Sequence, residues 1–397
     1  MPVDLRALPE NVAPPSPPGK GRWLLLVLLW ALLGGSLVVL LWPADQSRTS
    51  AWFWCCVVVF PVITGVLLFA LRLLAYERQQ HFAQGWNQRR GELEQALIQR
   101  GQRAIAVLAS SYCSPAGNNR LAQALRNGCK PLQPVYLPEL EATVRLSQLP
   151  DPLSPGATQT YTQRLQRYVR QVMRGLDEDL QRLGRTTPVR VRLKHNQVLT
   201  DAEVLSVWEA CVGEHLLVEQ VLFAGQDDGL LWLDTWLDAP EAVAMVLSLE
   251  VNVFAQPTDG QAESVSAVLL AQAQCCARHK VEPVAWVHRP VPMTPDLNAL
   301  QDVLRWGRVE QDGEQCFAWQ TQVPSDYLRD VSIAMDNAGC SLDIERCQQL
   351  DDAFGLPGHA VGNVALIVAS EHAASQGQAQ LLMLLDASPQ WCVVRSA

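Results

Sequence analysis

The sequence predicts an α/β domain carried behind two membrane-spanning helices, and three observations predict it. Trp23 to Trp42 is an uncharged apolar run, and a second runs from Ala51 to Leu71. Both reach the roughly 20 residues a helix needs to cross a hydrocarbon core. From Arg103 onward, short apolar stretches alternate with turn-rich segments and helical patterns, the texture of an α/β chain.

Only eight residues, Pro43 to Ser50, separate the two runs. That is room for a turn, so residues 22–76 are expected to form a helical hairpin. Arg6, Lys20 and Arg22 precede the hairpin, and Arg72, Arg78, Arg89 and Arg90 follow it. The loop holds only Arg48. Basic residues flanking spans stay on the cytoplasmic side, which places both termini and the main domain there. Trp23, Trp42, Trp52 and Trp54 sit at the run ends, where indole rings favour the interface. A cleaved signal peptide fits poorly, because the first run is long and a second span follows it. Pro61 and Gly65 inside the second span are tolerated in a membrane helix.

Composition narrows the partners. A formal charge of -9 argues against nucleic acid, which selects a basic face. Of eleven cysteines, Cys55 and Cys56 lie in the second span, and no CxxC pair occurs. Reduced, mostly buried thiols are expected on the cytoplasmic side. Cys276 and His279 alone fall at a helical ligand interval. Two ligands make no zinc site, so no metal is expected. No Walker loop, GxGxxG or GxSxG is present, so no cofactor is expected either.

In chain order, residues 1–21 are a proline-rich tail, disordered or extended. Residues 77–102 are charged and Gln-rich with Leu93, Leu97 and Ile98 at helical spacing, which predicts a helical stalk. Residues 103–397 form the α/β domain. Ala104 to Ala109 reads as a buried strand, Ser110 to Asn119 as a turn, and Arg120 to Asn127 as a helix closed by Gly128. Leu137 to Thr158 has four prolines and reads as a loop. Thr160 to Leu183 is helical. Val189 to Leu193 alternates, predicting a half-exposed strand with Arg190 and Arg192 on its solvated face. Thr200 and Glu203 form a capping box for the next helix. Gly229 to Leu237, Ala242 to Leu249 and Ser264 to Leu270 read as strands. Asp227-Asp228-Gly229 reads as a turn. Helices are expected at Asp296 to Trp306, Asp326 to Gly339, Ile344 to Phe354 and Val364 to Ala374. Gln380 to Leu385 and Trp391 to Val394 close the chain as a hairpin.

The order of these elements resembles the ketosynthases of the thiolase-like superfamily. The resemblance is carried by the Ala104 to Ala109 strand, the Ser114-Pro115-Ala116-Gly117-Asn118 turn, the helix Leu121 to Gly128 and the extension Pro131 to Val135. It is carried again by Gly358-His359 before a helix, and by the final hairpin. It implies a shortened, thiolase-like layered α/β domain. It also implies a catalytic cysteine on a strand-to-helix turn with two histidines. His359 matches the second histidine. The first, in a His-Gly-Thr-Gly-Thr loop, has no counterpart, and Val221 to Glu241 has no cysteine. The remaining thiol candidates are Cys211, on an amphipathic helix, and Cys113, expected exposed in the turn after the first strand. A packed thiol is the ordinary role for each, and a base needs a positioned partner.

A degenerate condensing-enzyme domain without its nucleophile implies a non-catalytic adaptor anchored to the membrane through residues 23–42 and 51–71. The resemblance extends to accessory proteins of bacterial type VI secretion. It implies residence in the bacterial inner membrane, an effector or secretion component as protein partner, and a pairing edge for a dimer. The alternatives are an acyl-processing enzyme using Cys211 or Cys113 with His359, and a membrane immunity protein in which the hairpin itself acts.

Overall fold

The computed structural model describes residues 3–43, 46–138, 141–150, 160–213, 216–225, 228–239, 243–294, 297–309, 316–337 and 346–397. The chain divides into two compact units, residues 3–98 and 99–397.

In the first unit, helix α1 (Lys20–Leu41) precedes α2 (Ala51–Gly101), whose last turn enters the second unit. Both are long and apolar enough to cross a membrane, with peak mean hydropathies of 2.8 and 2.5. Only 6% and 11% of those apolar windows are buried, which separates them from the core helices of a soluble domain. Three glycines let the helices approach closely. A Cβ on Gly34 would lie 2.8 Å from the Pro61 ring, and one on Gly65 would lie 3.1 Å from Val27. Pro61 has no N–H to give Val57, and a π-helical turn occupies Cys55–Val59 just before it. The Val57 carbonyl faces Gly35, where a Cβ would stand 2.9 Å away. Trp30 donates its indole N–H to Thr64 Oγ1 across the pair at 3.0 Å. The proline-rich tail is extended around residues 9–12, where Asn87 exchanges two 2.9 Å hydrogen bonds with the Val12 backbone.

The second unit opens with β1 (Ala104–Cys113), α3 (Leu121–Arg126), β2 (Gln133–Leu137) and β3 (Ala142–Leu146). Then come α4 (Tyr161–Gly175), α5 (Asp177–Leu183), β4 (Val189–His195), α6 (Asp201–Glu209) and β5 (Val218–Phe223). The short α7 (Trp232–Asp238) leads to β6 (Met245–Asn252), β7 (Ser264–Gln272) and α8 (Ala273–His279). The later part holds β8 (Ala285–His288), β9 (Val291–Pro292), α9 (Leu297–Trp306), β10 (Phe317–Thr321) and α10 (Ser325–Asn337). It ends with β11 (Cys347–Gln349), α11 (Val361–Gln376), β12 (Gln380–Leu385) and β13 (Pro389–Ser396).

Apart from the separate β2–β3 pair, the described strands make one mixed sheet in the order β11-β10-β12-β13-β8-β1-β7-β6-β4-β5, with β9 added beside β13. It reads as two halves meeting at the antiparallel β1–β8 pair. Outward from β1 come β7, β6, β4 and β5; outward from β8 come β13, β12, β10 and β11. The pairing sense is the same in both halves: antiparallel, antiparallel, then parallel twice. The chain therefore repeats one strand plan.

Alternation sorts the core into layers. On β6, Val246 joins the cluster around α11, while Met245, Leu247 and Leu249 join the cluster under α4 and α6. Helix α11 packs against β6, β7, β8, β10, β12 and β13, and so touches both halves. Its residues Val361 to Ser370 are all buried. A helix flanked on every side has no polar face to spare, which explains its run of small and apolar residues.

Several expectations change. Gly229 to Leu237 is a turn followed by α7, not a strand; Leu230, Leu233 and Trp236 are buried at helical spacing, and a short apolar run leaves the period ambiguous. Strand β4 lies between β5 and β6. Arg192 is therefore buried rather than solvated, while Arg190 reaches Glu219 on the edge strand at 3.8 Å. The segment read as a loop from Leu137 contains the β2–β3 hairpin, and residues 151–159 lie outside the described residues. Cys113 ends β1 opposite Val265 and is buried rather than exposed in a turn. Within Ile344 to Phe354, residues 347–349 form β11, and 344–345 lie outside the described residues. The Thr200 capping box is present, and so is one at Thr160 with Gln163.

Candidate functional site

The two halves bring the starts of α7 and α11 together. A Cβ on Gly362, in the first turn of α11, would lie 3.4 Å from the Gly229 carbonyl and 3.0 Å from Glu250 Oε1. Gly362 therefore permits a close approach between the halves. Gly358 has φ of +54°, a left-handed backbone that suits glycine. A Cβ there would meet Asn252 Oδ1 at 2.7 Å. His359 follows in a 3-10 turn that leads into α11.

Around this meeting point stands a set of buried polar groups. From β4, the Arg192 Nη1 donates to Glu250 Oε1 at 2.8 Å and to Ser248 Oγ at 3.2 Å. The other Glu250 oxygen accepts the Asn363 backbone N–H at 2.8 Å. The Asn363 amide then donates to the carbonyls of Ser248 and Ser266 at 2.9 and 3.1 Å. The guanidinium of Arg192 also lies 4.8 Å from the Trp232 ring centroid. Glu250 is 1% exposed, and these donors satisfy both of its carboxyl oxygens, as a buried polar group requires.

A second pair joins the halves beside it. Lys194 is ion-paired with Asp386, in the turn between β12 and β13. Asp386 Oδ2 also accepts the Gly229 N–H at 2.7 Å. The next N–H, of Leu230, goes to Gln390 Oε1 at 2.8 Å. Gln390 in turn donates to Asp228, which also accepts the Ala387 and Ser388 N–H groups at 3.1 Å each. Asp228 thus ties the start of α7 to the β12–β13 turn; Asp227 lies outside the described residues.

Backbone N–H groups at the start of a helix are what an acyl-transfer site would aim at a developing oxyanion. Here the two N–H groups just before α7, of Gly229 and Leu230, are already engaged by side chains of the second half. Leu230 stands at the turn itself, buried.

His359 is half-buried in this setting. Burial pushes its imidazole below the ordinary value, and Lys194 and His195 add to that against Asp386 and Glu250. His195 is a separate, oriented histidine: its Nδ1 accepts the Gln197 N–H at 3.2 Å, so Nε2 carries the proton that goes to Asp201 at 2.8 Å.

The thiol candidates lie elsewhere. Cys211 donates its S–H to the Gln166 carbonyl at 3.4 Å, and burial raises its thiol despite Arg170. Burial pushes Cys113 up to about 12. Among the described residues, no group of three or more potential metal ligands occurs.

Sequence reasoning singled out His359 and its glycine, placed Arg192 on a solvated face, and did not single out Lys194, Glu250, Asn363 or Asp386. A signal existed for one of them: Glu250 directly follows the run Ala242 to Leu249, whose only polar residue is Ser248.

No family model matches the sequence, and no curated protein is similar to it. Solved structures are. A beta-ketoacyl synthase from Burkholderia phymatum superposes with a TM-score of 0.53 at 9% identity, covering 74% of this chain and 100% of that one. The module 1 ketosynthase of the bacillaene synthase from Bacillus amyloliquefaciens gives 0.51 at 11%, covering 75% and 77%. Ketosynthase twelve of the bacillaene synthase in the same organism gives 0.51 at 12%, covering 75% and 74%. The second unit has a thiolase-like, layered α/β fold. At such identities the likeness speaks to the fold alone.

Proposed function

We propose that this chain is a membrane-tethered, non-catalytic scaffold whose ketosynthase-like domain grips a protein partner at the cytoplasmic face of a bacterial inner membrane. One observation carries the reading: the Gly229 and Leu230 N–H groups are consumed by Asp386 and Gln390. A site that must receive an acyl oxygen leaves such donors open. The flanking pairs Arg192–Glu250 and Lys194–Asp386 tie the halves together where a substrate would enter. The partner is an effector or secretion component of the type VI kind, and α1 and the apolar part of α2 hold the scaffold in the bilayer. The edge strand β5, with Val218 and Leu222 exposed, is where a second copy would pair.

Incubating the full chain in nanodiscs with acyl-CoA thioesters, followed by intact mass measurement, tests the reading. No covalent acyl adduct is expected. A stable acyl group on Cys211 or Cys113, lost in the His359→Ala variant, would overturn it.

A further inference from the structure

A cavity of about 620 Å³ opens where the chain enters the sheet domain, and it shares no residue with the helix-start site. Three arginines from separate elements line it: Arg103 just before β1, Arg308 just after α9, and Arg395 on β13. They converge because β1, β8 and β13 are neighbours at the centre of the sheet. Among the described residues, no carboxylate lines this cavity.

The arginines are also positioned. Arg395 Nη1 donates to the carbonyls of Gly307 at 3.2 Å and Arg308 at 2.6 Å. Arg308 is held at φ of +54°, a conformation disfavoured for any residue with a side chain. Arg103 is mostly exposed, and Asp238 lies 3.9 Å from it. Asp238 serves Arg100 and Arg289 first, at 2.8 Å each. His288, buried in the cavity wall, registers the converging charge. Its ring is pushed down to about 4, by burial first and then by Arg308 and Arg395.

We propose that this cavity binds a phosphate-bearing small molecule, up to the size of a nucleotide, on Arg103, Arg308 and Arg395. Guanidinium forks match phosphate oxygens in pairs. The volume lies in the range of pockets that enclose whole small molecules, well beyond a single ion. Lipid headgroups carry the same chemistry, and varying the nanodisc lipid distinguishes the two sources.

The test is titration calorimetry on the full chain in phosphatidylcholine nanodiscs, with inorganic pyrophosphate and ADP as probes. Saturable 1:1 binding is expected, weakened at least tenfold in Arg308→Gln and in Arg103→Glu. The exposed Arg103 makes the second change safe for folding, and unliganded melting temperatures would verify that. Absence of saturable binding, or wild-type affinity in either variant, would overturn the proposal. So would binding that appears only when phosphatidylglycerol replaces phosphatidylcholine and no free phosphate compound is needed.

Discussion

The two halves of the sheet repeat one strand plan but carry different helices at the equivalent place. Before the β12–β13 pair stands α11, 16 residues long and buried on every side. Before the β6–β7 pair stands α7, seven residues long, with Leu233 and Trp236 buried. The difference shows which parts of a duplicated scaffold are held by packing. The sheet order survives in both halves because alternating apolar faces specify it. The turn that starts a helix is specified by only a few residues, and it has diverged. In the second half it presents Gly358 and His359. In the first it presents Gly229 and Leu230, whose N–H groups are tied to the opposite hairpin.

The strongest way to break this comparison is to cut the bond across the halves. Glu250→Ala leaves Arg192 buried without its carboxylate. A loss of about 3–5 kcal/mol is expected, measured by urea unfolding in detergent micelles. A loss under about 1 kcal/mol would mean that the pair does not hold α11 in place.

His288 tests the junction at the β1–β8 seam. Its folded value of about 4 lies below the ordinary 6.5, so the unfolded chain takes up the proton first as the pH falls. Stability from the neutral ring is complete above pH 6.5 and is lost as pH drops toward 4. At 1.36 kcal/mol per unit this approaches roughly 3 kcal/mol. His288→Gln should flatten that part of the stability–pH curve, and an unchanged slope would refute the assignment.

Direct comparison of the two helices sharpens the contrast. Leu366→Ala in α11 removes a side chain 1% exposed and is expected to cost about 2–5 kcal/mol. Leu237→Ala in α7, where the residue is only partly buried, should cost roughly half as much. Equal losses would show that α7 is as deeply anchored as α11. The smallest effect belongs to the cap of α6: Thr200→Ala should cost about 1 kcal/mol, read from the same unfolding curves.

Much of the architecture was legible along the chain. The two uncharged runs, the buried strand at Ala104, the Thr200 cap and the Gly358-His359 lead into α11 all announce themselves locally. Other elements did not. Gly229 to Leu237 has the composition of a strand, and only its place between β5 and β6 makes it a helix. Arg192 looked solvated because alternation alone cannot tell an edge strand from a central one. Cys113 looked exposed because β1 runs four residues further than its apolar stretch, carried by pairing with β7.

By itself, the sequence determined where the chain is apolar enough for a bilayer, where helices are capped, and which segments alternate. Those properties depend on neighbours within a turn or two. The tertiary structure alone decided that Arg192 meets Glu250, that Lys194 meets Asp386, and that Asp386 and Gln390 take the Gly229 and Leu230 N–H groups. Each contact joins residues 58 to 192 positions apart. Such pairs form only after the sheet has set its strand order, and no local pattern encodes them.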